Sequence, residues 1–355
     1  MTTFSPPTEA DQDPVPSGRP GARRGPRVSR RAWRAAAVVA VFVIGLGLPV
    51  VVSNPYYLGI ATDGAVLGIL ALSIGFLASR CGLISLGHTT FFGLAAYTFA
   101  ISTTNWGWAP LVAALFAVLV GSAVGALVGA AIVRTPGIGF LVLTLAIGQA
   151  FYQLSVQTAL RPLTGTYDGI PIIYADGQTM LGRDQADMGD ASQFWPIAWT
   201  VLIGFVVVVT LVTRSRFGRT IEAVRENEER ARFSGLNTFT PRLLAFMLSA
   251  TGASVAGVLF ALKANYVSPN VFSFVTAGDS VIAALVGGWT TAVGPVIGAV
   301  LYVFGQSELG ATGNLQLFTG IALVVTIAFL RTGIVGALTS LWSLARRVLL
   351  TRRTR

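Results

Sequence analysis

One histidine (His88), one cysteine (Cys81) and one lysine (Lys263) are all that this 355-residue chain holds of the side chains that most often do covalent, metal or phosphate chemistry. A lone histidine removes both His-cluster metal sites and Ser-His-Asp catalysis. A lone cysteine removes disulfide frameworks and cysteine metal sites within one chain. Lys263 lies outside any glycine-rich loop, so the phosphate-cradling G-x-x-x-x-G-K-[ST] pattern is absent. The expectation is a protein that is not an enzyme, with no catalytic residues, no metal and no cofactor of its own. If ATP drives it, the nucleotide sits on another chain.

Two other kinds of chemistry remain. The first is a charged stretch from Arg214 to Pro241 with apolar runs on both sides. Seven arginines, counted from Arg214 to Arg242, are interleaved there with Glu222, Glu226, Glu228 and Glu229. Ile221, Val224, Ala231, Phe233 and Leu236 have roughly helical spacing, which predicts one or two short amphipathic helices. Gly235 is the expected stop, since glycine takes the left-handed C-terminal conformation at little steric cost. Glu222–Arg225, Glu226–Arg230 and Glu228–Arg232 stand three or four residues apart, each pair worth a few tenths of a kcal/mol. The second is backbone chemistry. Gly82, Ser85, Gly87 and His88 interrupt one apolar run, and Gly287, Gly288, Gly294 and Pro295 interrupt another. Broken membrane helices present free N–H and C=O groups to a cavity, and Gly82, Ser85, Gly87, His88, Gly287, Gly288 and Gly294 are the expected substrate pathway. For His88 a structural hydrogen bond is the expectation.

The elements that position these residues are membrane helices. The chain is 53% hydrophobic and 11% charged, with a mean hydropathy of +0.69. Repeated apolar stretches of about 20 residues are each long enough to cross a bilayer. The net charge of +10 comes from arginines at span ends, which reads as topogenic rather than nucleic-acid binding. The fold class is all-α: a polytopic integral membrane helical bundle of about eight spanning helices plus one broken or re-entrant segment. Residues 1–31, rich in proline, are expected to be a disordered basic cytoplasmic tail. Residues 32–336 form the transmembrane domain, with 214–241 as a cytoplasmic loop and 159–193 as an acidic extracytoplasmic loop. Residues 337–355 are a basic cytoplasmic tail. The expected spans start with one uncleaved helix from Ala35 to Val52, followed by Leu58–Ala78, His88–Thr103, Trp108–Val133, Ile138–Thr158, Phe194–Val212, Leu243–Leu262 and Leu315–Leu330. Residues Asp279 to Phe304 are read as paired half-helices, because a full crossing there would put the arginine-rich tail outside. Asp63 is expected near the interface, and Leu338–Leu350 as an interfacial helix.

Cys81 to Tyr97 reads CGLISLGHTTFFGLAAY, which resembles the G-x-[IL]-S-L-G-H-x-x-F-F-G-x-x-A-Y signature of the branched-chain amino acid ABC permease family. Glu229 to Gly235, ERARFSG, is similar to the E-A-A-x-x-x-G coupling motif of ABC importer permeases, with Arg230 in place of the first alanine. Phe217 to Asn227, Leu163 to Pro171 and Asp279 to Ala299 also resemble family segments. Trp289-Thr290-Thr291 departs from the usual G-x-G, and Leu83 replaces a common Gln. The resemblance implies a bacterial plasma-membrane subunit with both termini cytoplasmic, importing branched-chain amino acids by alternating access. Implied partners are a second homologous permease, two cytoplasmic ABC ATPases carrying ATP and Mg, an extracytoplasmic binding protein and the lipid bilayer. The ATPase-coupling residues would be Glu222, Arg225, Glu226, Glu229, Ala231 and Gly235. Alternatives are a permease for urea or short-chain amides, or an ATP-independent secondary transporter or channel.

Overall fold

The computed structural model describes residues 30–52, 54–310, 320–321 and 333–337. The expected disorder of the first 29 residues, most of the last expected span and the C-terminal interfacial helix lie outside them. Among the described residues, helices carry the fold: α1 (Arg30–Leu46), α2 (Pro55–Cys81), α3 (His88–Thr104), α4 (Pro110–Ile132), α5 (Gly137–Ser155), α6 (Ala191–Arg214), α7 (Arg216–Glu226), α8 (Glu228–Phe233), α9 (Phe239–Ala264), α10 (Phe274–Gly287) and α11 (Gly294–Gly310). Five of these, α2, α4, α5, α6 and α9, are long and apolar enough to cross a membrane. The apolar run expected as a single helix from Ala35 to Val52 is divided. It stops at Leu46, and a short turn of helix, Leu48–Val51, follows Gly47. Pro49 occupies that turn's first positions, where its missing N–H has no helical partner to lose.

α2 is the most deeply buried of the long helices. Asn54 starts it by accepting from the Tyr56 N–H at 2.9 Å, with Pro55 at the first helical position. Gly82 ends it at φ +70°, a conformation that only glycine takes without strain. Near the Pro55 end, Lys263 of α9 forms an ion pair with Asp63 and donates to the Gly59 carbonyl at 3.1 Å. The chain's one lysine therefore ties α9 to α2, and Asp63 stays half exposed. α9 also packs on α3 and α4 through small residues. A Cβ on Gly257 would lie 2.0 Å from the Phe92 carbonyl oxygen, and one on Gly125 2.5 Å from the Ala250 Cβ. Such close approach replaces the hydrophobic drive that lipid removes.

α10 and α11 form a hairpin laid along α2. Positions on α11 meet α2 in reverse order: Pro295 lies by Gly75, Val296 by Gly68 and Val300 by Gly64. The turn between the two helices, residues 288–293, therefore sits beside the Cys81 end of α2. Fourteen residues of α10 rise only about 21 Å, short of a hydrocarbon core of about 30 Å. The break expected between Asp279 and Phe304 is thus present as a pair of helices joined at Gly288–Val293.

The acidic stretch 159–193 is folded against the helix ends. Strand β1 (Ile170–Pro171) pairs antiparallel with β2 (Tyr266–Val267). Thr104 donates to the Pro171 carbonyl at 3.1 Å and accepts from the Ile173 N–H at 3.0 Å. Asp184 and Asp187 form a reciprocal capping box. Burial pushes the Tyr174 phenol up to about 12, so it stays neutral over the physiological range.

Candidate functional site

The charged stretch is two helices meeting at a corner. Ser215 caps α7 by accepting from the Gly218 N–H at 3.2 Å. Asn227, extended at φ −157° and ψ 100°, ends α7 and caps α8 by accepting from the Arg230 N–H at 2.8 Å. That corner separates Glu226 from Arg230, so the expected pair between them does not form. Glu222–Arg225 does not form either. Of the three expected local pairs, Glu228–Arg232 is present, at 2.6 Å. Gly235 stops α8 as expected: it sits at φ +78°, and the Leu236 N–H returns to the Ala231 carbonyl at 3.0 Å.

The other charges reach across the fold. Arg80 at the end of α2 pairs with Glu222 at 3.3 Å. Arg225 donates to the Ser79 carbonyl, and its Cγ and Nε lie 3.7 Å from where a Cβ on Gly82 would be. Glu228 also pairs with Arg242 of α9 at 2.7 Å and accepts from Thr238 at 3.2 Å. Partial burial raises the Glu228 carboxyl, but Arg242, Arg232 and Thr238 outweigh it and hold the group below the usual glutamate value. Ile221, Val224 and Ala231 are buried beneath α7 and α8, whereas Phe233 is 91% exposed. Phe233 thus leaves the apolar face that its spacing implied. Glu226 and Glu229 are exposed beside it. Arg80 carries no local signal that would have marked it as a partner of this loop.

The segment 82–87 runs from the end of α2 back into the bundle. Gly82 is exposed beside Arg225, whereas Ser85, Gly87, His88, Gly287, Gly288 and Gly294 are buried. Ser85, buried, accepts from the Gly87 N–H at 3.2 Å. The Leu86 N–H donates to Thr144 Oγ1 of α5 at 3.2 Å. A Cβ on Gly87 would stand 2.5 Å from the Thr144 carbonyl oxygen, so α5 presses directly on this break. His88 Nε2 lies 2.6 Å from Ser249 Oγ of α9, and Ser249 donates to the Ser73 carbonyl at 2.6 Å. The serine's single proton goes to Ser73, so Nε2 carries the proton toward Ser249. The bond expected for His88 is therefore made. Ser73 precedes the end of α2 by eight residues (73 to 81), about 12 Å along the axis. α3 therefore begins deep in the bundle, as a broken helix does. The gap lined by Ser85, Gly87, Phe91, Thr144, Ile147 and Phe246 admits no water-sized sphere.

The second break is built differently. A Cβ on Gly287 would lie 1.9 Å from the Gly294 carbonyl oxygen, and one on Gly294 1.9 Å from that of Gly288. Gly288 sits at φ +89°, with Gly333 packed on its Cα. These glycines bring backbone against backbone. A small cleft opens beside them, between Gly75, Ser79 and Arg80 of α2, Thr213 of α6, and Trp289 and Pro295 of the hairpin. The three regions therefore converge at the end of α2, where α7, segment 82–87 and the hairpin turn meet.

A family model described as a branched-chain amino acid transport system permease component matches residues 56–339. The high-affinity branched-chain amino acid transport system permease protein LivM of Salmonella typhimurium is 29% identical over 286 residues, 75% of this chain and 66% of that protein. LivM of Escherichia coli K12 is 28% identical over 284 residues, with the same coverage. The autoinducer 2 import system permease protein LsrC of Yersinia enterocolitica is 27% identical over 227 residues, 61% of this chain and 56% of that protein. The chain spans just under two thirds of the length of the LivM proteins that it matches. No solved structure matches it.

Proposed function

The chain belongs to the branched-chain amino acid transport system permease component family, and from that premise we propose that it is the membrane permease subunit of an ATP-binding-cassette importer. Its cargo is a branched-chain amino acid, moved by alternating access across a bacterial plasma membrane with both chain termini cytoplasmic. The ATPases are separate chains. A second, homologous permease completes the membrane part, and a binding protein delivers solute to the 159–193 face. One observation carries this reading. Arg225, in the Phe217–Asn227 stretch just before the one that resembles a coupling motif, is bonded to Ser79 and lies against Gly82, where the broken segment begins. A push on α7 and α8 therefore reaches the break in α2–α3 through two residues. Glu226, Glu229 and Phe233, exposed on α7 and α8, are the surface offered to an ATPase. Similarity to LsrC supports a second reading for the cargo, a small polar solute other than an amino acid.

The test is ATP hydrolysis and labelled leucine uptake in liposomes holding the chain with its permease, ATPase and binding-protein partners. Leucine-loaded binding protein is expected to stimulate both. Glu229→Ala is expected to abolish the stimulation without lowering the melting temperature, and Gly235→Pro, at a position where φ +78° excludes proline, to abolish it with a lowered melting temperature. Normal transport in both variants would reduce the loop to a linker. Failure of any ATPase to co-purify would defeat the importer assignment, and uptake of another solute in place of leucine would favour the second reading.

A further inference from the structure

Hydroxyls in these helices have a default partner, the carbonyl one turn back. In α3, Thr98 donates to Leu94 at 2.7 Å, Ser102 to Thr98 at 2.7 Å and Thr103 to Phe99 at 2.8 Å. In α2, Thr62 and Ser73 do the same at 2.7 and 2.8 Å, and Ser254 of α9 at 2.9 Å. Thr89 and Thr90 differ. Both are fully buried, at 1% and 0% exposure, and both hydroxyls lack a partner; among the described residues no other buried serine or threonine hydroxyl does. The cause is local. They occupy the first turn of α3, and the residues four back, Ser85 and Leu86, lie in the non-helical break. A buried hydroxyl without a partner costs about 1–3 kcal/mol, so two in adjacent positions require an explanation.

The two hydroxyls converge on one place. The position of an absent Cβ at Gly148 of α5 lies 3.8 Å from Thr90 Oγ1, 3.9 Å from Thr89 Oγ1 and 3.9 Å from the Leu86 carbonyl oxygen. Glycine at 148 thus leaves the hydroxyls facing the bare backbone of α5. The same turn is the N-terminus of a 17-residue helix, whose N-cap, Gly87, supplies no side-chain bond and whose dipole favours negative charge. We propose that the first turn of α3, with the Thr89 and Thr90 hydroxyls and α5 at Gly148, is a subsite for the carboxylate of a zwitterionic solute. It is shut in this structure and filled when α5 moves off the break. The proposal rests on the importer reading and deepens it, placing the carboxylate on residues that the family signature leaves as x-x.

The test is labelled leucine uptake by the complete importer in liposomes, at saturating loaded binding protein, with melting temperatures of the purified chain. The double variant Thr89→Val/Thr90→Val is expected to cut uptake at least tenfold while melting at or above the wild-type temperature, because the hydroxyls make no bond in the empty state. Thr89→Ser/Thr90→Ser keeps both hydroxyls and is expected to stay within about threefold of wild type. Uptake by the valine pair within twofold of wild type would overturn the subsite. So would a serine pair as defective as the valine pair, which would make methyl packing the cause, or a valine pair that melts well below the wild type. If the wild-type importer takes up no leucine at all, the importer reading itself fails, a result distinct from the other three.

Discussion

Two breaks in the apolar helices of the described residues, at 82–87 and 287–294, use glycine for opposite purposes. At residues 287–294 the glycines let one backbone lie on another: the Cβ positions of Gly287 and Gly294 fall 1.9 Å from carbonyl oxygens, and Gly333 closes over Gly288. No buried side-chain donor or acceptor within 287–294 lacks a partner. At residues 82–87 the glycines lead a helix N-terminus into the bundle interior and set it against α5, leaving the Thr89 and Thr90 hydroxyls unanswered. Both breaks looked alike as glycine-rich interruptions of an apolar run. Structurally, one is a joint held by packing and the other is a polar end with room for a ligand once α5 moves.

The contrast can be broken most sharply at Gly287. Gly287→Ala forces backbone apart at the hairpin and is expected to cost about 3 kcal/mol or more, seen as loss of monodisperse protein in size-exclusion chromatography. A folded, stable Gly287→Ala protein would mean that the second break is loose. Ser249→Ala strips the bridge between His88 and Ser73 and leaves buried groups unpaired, for an expected loss of about 2 kcal/mol by thermal melting of the detergent-solubilised chain. Gly82→Ala is the counterpart of Gly287→Ala at the first break. Its new Cβ meets nothing closer than the Arg225 side chain at 3.7 Å, so only the left-handed conformation resists it, and about 1 kcal/mol is expected. The smallest effect is at Glu228, whose pairs are partly solvated and worth below about 1 kcal/mol. Its depressed pKa makes that contribution fully present above the usual glutamate value and lost as pH falls through the lower, folded value. Glu228→Gln is therefore expected to lower the melting temperature slightly at pH 7 and to converge with wild type under strongly acidic conditions.

Local features were legible in the sequence because they depend on neighbours along the chain. The helix stop at Gly235, the end of α2 at Gly82 and the interruption between Gly288 and Val293 all follow from glycine conformation. The corner at Asn227 was half legible: two short helices were one of the options, but the charge pairing assumed across it needed a continuous helix. What could not be read were partners far apart in sequence. Arg80 meets Glu222, Lys263 meets Asp63, and His88 meets Ser249, and only the packing of α7 on α2 and of α9 on α2 and α3 brings them together. Periodicity marks which face of a helix is apolar, not which helix covers it. Thr89 and Thr90 were passed over for the opposite reason, since as signature x-x positions they carry no composition signal. Only their missing partners mark them.

Arg225 joins the exposed surface of α7 and α8 to the start of the first break. The most direct measurement is leucine uptake per ATP hydrolysed in liposomes for Arg225→Ala against wild type, with all partner chains present. The account predicts that loaded binding protein still stimulates hydrolysis while uptake per ATP falls at least tenfold, because the ATPase docks normally but no longer moves the break. Uptake that keeps the wild-type ratio to hydrolysis would contradict it.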